Sequence, residues 1–337
     1  MAMAQNLHAV VFPLFDRSSD AAAPVESIGP FHWKKLPFLL TSTCLFGENL
    51  APALRSKIAA FDLDGTVIKW SASKNGTDWE YWNKKVPQVL KEVHDSGYSI
   101  VFFSNQCLHD KKLKQWRLKI PSIAKSLPDV PFMIFAATAK DMYRKPMPGM
   151  WLAVEKLAKD AGKTIDRPNS FFVGDAAGRK GDFSGTDRKF AENLDLKFST
   201  PEEYFLNKAP QPYTLQGVHV NKLFPGDDNT NKDKKTRQYY LTLAKSLGVP
   251  IRSSVELAWH NNLYRALCLP LLSERTTPDT KPERKLVPYL AFSSFAQGYE
   301  EPTVEEGFQD VKTVNWVFEG NSHEERFWRM WLQIDGK

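Results

Sequence analysis

The sequence predicts an α/β protein whose first part is built around a parallel β-sheet. Four short apolar runs have the length and composition of buried strands: 57–61 (KIAAF), 98–103 (YSIVFF), 131–137 (PFMIFAA) and 170–173 (SFFV). Segments of helical periodicity separate these runs. Because strands that alternate with helices are typical of parallel sheets, the two observations predict the same fold class.

The clearest predicted helix covers 148–162. Trp151, Val154 and Leu157 recur at helical spacing, Pro148 suits a first turn and Gly162 suits a C-terminal end. We expect this helix to pack on the sheet and to have no functional role.

Length and composition limit the classes of protein to consider. With 337 residues, 42% of them hydrophobic, the chain is long enough for two domains of ordinary size. Its formal charge of +6 is compatible with a polyanionic partner. The spacing of the three cysteines, Cys44, Cys107 and Cys268, fits neither a disulfide framework nor a zinc motif. No apolar run approaches the ~20 residues of a membrane helix. We therefore expect a soluble protein of a reducing compartment.

Three segments are predicted along the chain. Residues 1–56 are mixed in composition and contain SSDAAAPVES, so we assign them to a partly flexible N-terminal leader. Residues 57–208 form the first domain, which ends at a cluster of prolines. Residues 209–337 contain one convincing helix at 232–248, a Pro-rich loop and an aromatic final stretch.

Polar residues follow each of the four predicted strands. Asp62 and Asp64 follow the first, Ser104 the second, Lys145 comes soon after the third, and Asp175 follows the fourth. Ligands of open parallel sheets bind at this edge, and side chains two residues apart point the same way. Two such carboxylates repel each other unless a cation lies between them. A third carboxylate would complete the oxygen shell that Mg²⁺ prefers, so we predict a magnesium site at Asp62, Asp64 and Asp175.

The same residues predict phosphoryl transfer. A carboxylate can attack phosphorus when metal and lysine neutralise the phosphoryl oxygens. We assign Asp62 as the nucleophile and Asp64 as the acid and base, with Ser104 and Lys145 binding the phosphoryl group.

These motifs resemble the haloacid dehalogenase superfamily, whose members carry DxDGT, a strand ending in Ser or Thr, a Lys and a terminal GD. Within it, the stretches AAFDLDGTVIK, GYSIVFFSNQ, YRKPMPGMW, FFVGDAAGR and DFSGTDRKFAENLDLKFSTPEEYFL resemble the phosphatase domain of the polynucleotide kinase 3′-phosphatase family over about residues 57–206. The resemblance implies a Rossmann-like sheet, dependence on Mg²⁺ and removal of the 3′-phosphate from damaged DNA ends. It also implies Asp62 as the nucleophile, Asp64 as the acid and base and as a metal ligand through its backbone, and Asp175 as a metal ligand, with Ser104 and Lys145 binding phosphate.

Further residues of the matching motifs are expected at the substrate. They are Thr66, Asn105, Arg144, Arg179 and Asp182. The segment that separates GDAAGR from DFS in the family is shortened here to Lys180 and Gly181, which leaves that loop and any DNA contact through it open.

Two stretches suggest nucleic-acid contact less specifically. The stretch 109–119 (HDKKLKQWRLK) places five basic residues around Trp116, which predicts contact with backbone phosphates and stacking on an unpaired base. A solvated helix face explains it equally well. The aromatic side chains Trp70, Trp79, Tyr81 and Trp82 would form either a wall beside the substrate or part of the core.

The second segment resembles a P-loop kinase that lacks its beginning. The stretches DDNTNKDKKTRQYYLTLAKSLGVPIR, AWHNNLYRA and VPYLAFSSFAQGYEEPTVEEGFQDV resemble the middle and end of the family's 5′-polynucleotide kinase domain. No GxxxxGK[ST] motif is present, and DAGKT at 160–164 has Leu157 where the first glycine belongs. The motif HVNKL has Leu223 in the position of the acidic base, and Arg237 has no phosphate loop to close upon. We therefore predict an incomplete kinase domain without kinase activity.

Two alternatives stay open. One is a phosphatase of the same class that acts on a small phosphate ester, and the other is a non-catalytic adaptor in DNA repair. The inferred substrate implies a nuclear location, DNA 3′-phosphate ends and DNA repair proteins as partners, and a monomer. We expect no forkhead-associated module, since 56 residues are too few for one.

Overall fold

The computed structural model describes residues 29–38, 43–70, 77–106, 108–220, 255–272, 286–298, 305 and 318–334. Within them, seven strands form one sheet: β1 Phe31–Lys34, β2 Cys44–Asn49, β3 Ile58–Asp62, β4 Ser99–Asn105, β5 Phe132–Ala137, β6 Phe171–Val173 and β7 Lys197–Ser199. Strands β3 to β6 coincide with the four predicted runs, so the predicted α/β class is confirmed.

The order of the strands places β3 in the interior of the sheet. The order is β1-β2-β5-β4-β3-β6-β7. The strands from β5 to β7 are parallel, whereas β2 runs antiparallel to β5 and β1 to β2. The carboxyl ends of β4, β3 and β6 therefore meet at one edge, where ligands of parallel sheets bind.

Strands β1 and β2 correct the expectation for residues 1–56. Both lie in the stretch that we assigned to a leader, yet both belong to the sheet. Edge strand β1 buries only Phe31 fully, and β2 ends in the polar residues Glu48 and Asn49. Neither strand therefore contains an unbroken apolar run of the kind that marks the central strands.

Five helices cover the two faces of the sheet. They are α1 Val86–Asp95, α2 Asp110–Lys125, α3 Gly149–Asp160, α4 Thr186–Asn193 and α5 Pro201–Leu206. Helix α3 falls within the predicted 148–162, and its Trp151 and Val154 are fully buried as expected. Helices α3 and α4 belong to one apolar cluster, and α1, α2 and α5 belong to the cluster on the opposite face.

A further set of helices follows residue 209: α6 Val255–Leu263, a π-helical turn Tyr264–Cys268, α7 Leu269–Leu272, α8 Tyr289–Gln297 and α9 Ser322–Trp328. A third apolar cluster, the C-terminal cluster, joins α6 and α9 and includes Met147 from the loop before α3. The predicted helix at 232–248, with Leu223 and Arg237, lies outside the described residues. None of the helices in the described ranges is long and apolar enough to cross a membrane.

Candidate active site

The predicted catalytic residues lie together at the carboxyl edge of the sheet. Asp62 is the last residue of β3, Ser104 is the penultimate residue of β4, and Asp175 lies two residues beyond β6. Lys145 extends from the loop between β5 and α3, and its Nζ lies 2.5 Å from Asp62 Oδ1. The side chains of Asp62, Ser104 and Lys145 are buried.

Lys145 is held between two carboxylates. Its Nζ donates to Asp62 Oδ1 and, at 2.7 Å, to Asp187 Oδ1. Although burial favours the neutral amine, the charges of Asp187 and Asp62 raise the pKa of Lys145 above its usual range. Lys145 is therefore a fixed positive charge beside Asp62 at neutral pH.

Asp187 lies in the first turn of α4 and was missed by the sequence analysis. Its Oδ2 accepts from the backbone N–H of Ala176 at 3.1 Å, and its own N–H donates to the Ala176 carbonyl at 3.0 Å. A Cβ at position 174 would lie 2.5 Å from Asp187 Oδ2, so the approach requires Gly174. Helix α4 is thereby attached to the loop that carries Asp175.

Three carboxylates form an acidic cluster that could hold a metal ion. One oxygen from each of Asp62, Asp175 and Asp187 lies within 4.8 Å of the others. Burial raises the pKa of Asp62 well above its usual range, and the charges of Asp187 and Asp175 add to the effect against the opposing charge of Lys145. Burial, with the charge of Asp187, raises the pKa of Asp175 to about 7. Asp62 Oδ2 is buried and has no hydrogen-bond partner among the described residues.

These observations fit a hard divalent cation. Oxygen ligands from several carboxylates are the donor set that Mg²⁺ and Ca²⁺ prefer, and a buried oxygen without a partner is suited to coordinate one. The carboxylate of Asp64 is not part of this cluster, whereas that of Asp187 is, and the predicted metal contact through the Asp64 backbone stays a prediction.

Asp64 lies on the side of the site nearest β4. Its Oδ2 accepts from Gln106 Nε2 at 2.7 Å and from Ser104 Oγ at 3.5 Å, and Gln106 Nε2 also donates to Ser104 Oγ at 2.8 Å. Gln106 was missed by the sequence analysis, although it stands in the SNQ motif directly after Ser104 and Asn105. It fixes the Asp64 carboxylate beside Ser104.

The turn after Asp64 requires glycine. Gly65 has φ +100, and a Cβ there would overlap Asp175 Oδ2 and lie 2.6 Å from Asp175 Cγ. The following residue, Thr66, is fully buried, and its Oγ1 has no partner among the described residues.

The backbone of Lys145 is fixed by Asn105. Asn105 Oδ1 accepts from the Lys145 N–H at 2.9 Å, and Asn105 Nδ2 donates to the Lys145 carbonyl at 3.1 Å. The neighbouring Arg144 is half-buried. Asn105, which we predicted at the substrate, thus contacts Lys145.

Arg179 and Asp182 form part of the loop that carries Asp175. Asp182 Oδ2 accepts from the N–H groups of Ala177 and Arg179, and the Arg179 guanidinium bonds both Asp182 and Glu202. Against the effect of burial, the bonds to Asp182 and Glu202 raise the pKa of Arg179. Asp182 is thus bonded within the loop, and Arg179 joins the loop to Glu202 of α5.

The stretch 109–119 divides into a buried and an exposed part. Trp116 is only 4% exposed and lies in the core beside Trp33, which corrects the expectation that it stacks on a base. Lys111, Lys112 and Lys114 are exposed at the start of α2. Of the aromatic residues after β3, Trp70 is exposed, whereas Trp79, Tyr81 and Trp82 pack against the core.

The fold and the site together define a class of protein. A parallel sheet with DxDGT after an interior strand, and with a lysine and three aspartates at its carboxyl edge, defines a phosphatase of the haloacid dehalogenase type. A family model described as polynucleotide kinase 3 phosphatase matches residues 57–205.

Relatives extend this match over most of the chain. The bifunctional polynucleotide phosphatase/kinase of Schizosaccharomyces pombe is 32% identical over 82% of this chain and 83% of its own length. The chain therefore belongs to the polynucleotide kinase 3′-phosphatase family. The polynucleotide 3′-phosphatase ZDP of Arabidopsis thaliana is 39% identical over 47% of this chain and 25% of its own length. Among solved structures, the D,D-heptose 1,7-bisphosphate phosphatase of B. bronchiseptica, complexed with magnesium and phosphate, has 19% identity and a TM-score of 0.33 over 46% of this chain and 88% of its own.

Proposed function

We propose that this protein removes the 3′-phosphate from DNA ends by a magnesium-dependent reaction through an aspartyl-phosphate on Asp62. One observation carries the chemistry: Asp62, buried at the end of β3, contacts Lys145 and belongs to the acidic cluster with Asp175 and Asp187. Family membership supports the substrate, since the A. thaliana relative is named a polynucleotide 3′-phosphatase and the S. pombe relative a bifunctional polynucleotide phosphatase/kinase.

In the first step, the Asp62 carboxylate attacks the phosphorus atom. The bond between phosphorus and the 3′-oxygen breaks, and Asp64 donates a proton to the departing oxygen. In the second step, Asp64 takes a proton from a water molecule, whose oxygen attacks phosphorus and releases Asp62 and inorganic phosphate. Lys145 and Ser104 bind phosphoryl oxygens throughout.

Asp62, Asp175 and Asp187 would hold the Mg²⁺ ion. When bound, the ion would neutralise part of the negative charge that the carboxylates and the phosphoryl group bring together. The Asp64 carboxylate is not part of the cluster and is held by Gln106 beside Ser104, where we place the departing oxygen.

The other residues of the site serve position and substrate contact. Asn105 fixes the backbone of Lys145, while Arg179 and Asp182 shape the loop of Asp175. Thr66 and Arg144 lie beside Gly65 and Lys145 in the sequence, and we assign them to the substrate side of the site. The exposed lysines at the start of α2 supply positive charge for DNA phosphates. A nuclear location, a role in DNA repair with repair proteins as partners, and a monomeric state belong to the same proposal.

The test compares two phosphate esters. Purified protein with Mg²⁺ is given an oligonucleotide with a 3′-phosphate and, in parallel, a sugar phosphate at equal concentration. We expect kcat/KM to be at least about 100-fold higher for the oligonucleotide, the discrimination that contacts beyond the phosphate typically provide. Equal turnover would identify a phosphatase of small esters, and no turnover of either substrate would identify a non-catalytic protein.

We further propose that residues 209–337 are a remnant of a 5′-polynucleotide kinase without kinase activity. No phosphate-loop motif stands in the sequence, and Leu223 occupies the position of the acidic base. The alignment with the S. pombe relative spans 359 positions, more than the 337 residues of this chain, so stretches of that relative have no counterpart here. The test is incubation with labelled ATP and a 5′-hydroxyl oligonucleotide, and label on the DNA would refute this proposal.

A further inference from the structure

Helix α4 contacts the active site near its beginning and a distant part of the chain at its end. Asp187 in its first turn accepts from Lys145 Nζ, whereas Asn193, its last residue, contacts Pro146, the residue after Lys145. Asn193 Nδ2 donates to the Pro146 carbonyl at 2.9 Å and to the Trp331 carbonyl at 2.9 Å. Its Oδ1 accepts from the Trp331 N–H at 2.7 Å.

Asn193 is thus a buried bridge between two backbone segments. Its side chain is 6% exposed, and three hydrogen bonds use both amide protons and the oxygen. A buried amide with this many backbone partners is rigid, because each bond that breaks leaves a polar group without a partner. The position of the Pro146 carbonyl therefore depends on the segment around Trp331.

Trp331 is itself fixed to α4. Its Nε1 donates to Glu192 Oε2 at 2.8 Å, and the Nζ of Lys189 lies 4.8 Å from the centre of its ring. The centre of the His219 ring lies 4.7 Å from the centre of the Trp331 ring. Two residues on, Gln333 Oε1 accepts from the Val218 N–H at 2.9 Å.

Apolar packing joins the same two regions. Met147, which follows Pro146, is fully buried in the C-terminal cluster, where Phe327, Met330 and Leu332 are also buried. The unit Lys145–Met147 therefore has the acidic cluster on one side and the C-terminal segment, residues 318–334, on the other.

The supports of Lys145 then divide into three. Asp62 and Asp187 hold its Nζ, Asn105 holds its own backbone, and Asn193 holds the carbonyl of the next residue. The first two supports belong to the site already described. The third depends on the C-terminal segment, which the chemistry does not otherwise use.

We propose that the C-terminal segment is a structural part of the phosphatase site, and that Asn193 is the positioning residue through which it fixes Lys145. This inference rests on the proposed phosphatase function. It assigns a role to the end of the kinase-like region in a chain that lacks the phosphate loop.

Small displacements of a charged group in an active site lower the reaction rate strongly. A misplacement of about 1 Å can lower a rate by about 100-fold, because the group must meet charge that develops in the transition state. When one of the three supports is lost, the other two remain, so Lys145 should be displaced by less than about 1 Å. We therefore expect a reduction in kcat of about 10-fold to 100-fold when Asn193 is replaced.

The experiment compares two buried asparagines. Asn193→Ser removes the bridge. The smaller side chain leaves room for water to bond the backbone groups of Pro146 and Trp331 that lose their partner. Asn262→Ser is the matched control, since Asn262 is also buried and bonds the backbone of Val287 within the C-terminal region without contacting Lys145. Asn193→Asp, which keeps the acceptor for the Trp331 N–H, replaces the first variant if that protein does not fold.

Phosphate release from a 3′-phosphate oligonucleotide is measured well below the melting temperature of each variant, per active site titrated with vanadate. We expect Asn193→Ser to lower kcat with KM little changed, and Asn262→Ser to leave both values at the wild-type level. Equal kcat in Asn193→Ser and wild type, or equal losses in the two variants, would overturn the inference. Failure of the wild-type protein to release phosphate would instead refute the proposed function.

Discussion

Lys145 and Asp187 form an ion pair with 2.7 Å between Nζ and Oδ1, and each side chain is only 2% exposed. The two residues are 42 positions apart in the chain and come from different elements, a loop after β5 and the first turn of α4. This pair joins Lys145 to the helix that also contacts the loop of Asp175. The geometry of the site therefore depends on a residue that no local motif identifies.

Asp187→Asn should lower both activity and stability. The amide cannot balance the charge of Lys145, and breaking a buried ion pair from one side costs about 3–5 kcal/mol in the free energy of unfolding. We expect kcat to fall by at least about 10-fold, since Lys145 loses one of its two carboxylate partners. Denaturant unfolding and phosphate release would measure the two effects.

The matched control for that variant is Asp195→Asn. Asp195 lies just beyond the same helix and pairs with Arg326 at 2.7 Å, but its side chain is 76% exposed. Exposed pairs contribute about 0–1 kcal/mol, so this change should leave activity intact. If the two variants behaved alike, the buried pair would have no special role.

Asp62→Asn should eliminate phosphate release. The amide oxygen is a poor nucleophile, so a loss of at least about 1,000-fold is expected. Acid quenching of the wild-type protein with a labelled 3′-phosphate substrate should trap label on the protein, and the variant should trap none.

Asp64→Asn should slow both steps of the reaction. The amide can neither protonate the departing 3′-oxygen in the first step nor take a proton from water in the second. Phosphate release should therefore fall by at least about 100-fold, and acid quenching should trap less label on this variant than on the wild-type protein. Retention of phosphate release in Asp62→Asn would show that another group attacks phosphorus.

Residues that follow apolar strand runs could be predicted, because both the strand and its polar end are local in the sequence. Asp62, Ser104 and Asp175 were found in this way, and the structure brings them together with Lys145. Asp187 could not be predicted in this way, because it belongs to an amphipathic helix. Only the fold brings the first turn of that helix to Lys145.

Elements without an apolar run, such as β1, could not be predicted for a related reason. Strand β1 lies at the edge of the sheet and alternates between buried and exposed residues over four positions, too few to establish a period. The buried position of Trp116 was also not predictable, because whether an aromatic residue faces the core or a ligand depends on its neighbour Trp33 in β1.

The metal-free protein should become less stable as pH rises through the interval from 3.8 to about 7. Burial and the charge of Asp187 raise the pKa of Asp175 from 3.8 to about 7. A carboxyl whose pKa is higher in the folded protein binds more protons when folded between the two values, so the free energy of unfolding falls with rising pH there. Melting temperatures in a chelator at pH 5 and pH 7.5 would test the direction.

Magnesium should reverse this trend, because a bound cation stabilises the ionised carboxylates. The stabilisation that Mg²⁺ provides should therefore be larger at pH 7.5 than at pH 5. Asp175→Asn should be less sensitive to pH over the same interval and should respond weakly to the metal. A metal response of equal size in wild type and variant would argue against a role for Asp175 in binding.

Gly65→Ala should damage the site more than its small size suggests. Gly65 has φ +100, a conformation that costs an L-residue roughly 1–2 kcal/mol, and the added Cβ would overlap the Asp175 carboxylate. Either the turn after Asp64 or the loop of Asp175 must then move.

Gly162→Ala is the matched control, because Gly162 has φ +68 at the end of α3 and a Cβ there meets no atom within 4 Å. We expect both variants to melt at lower temperature, but only Gly65→Ala to lose phosphatase activity and the response of its melting temperature to Mg²⁺. Full activity in Gly65→Ala would mean that the close approach of the turn to Asp175 is dispensable for the reaction.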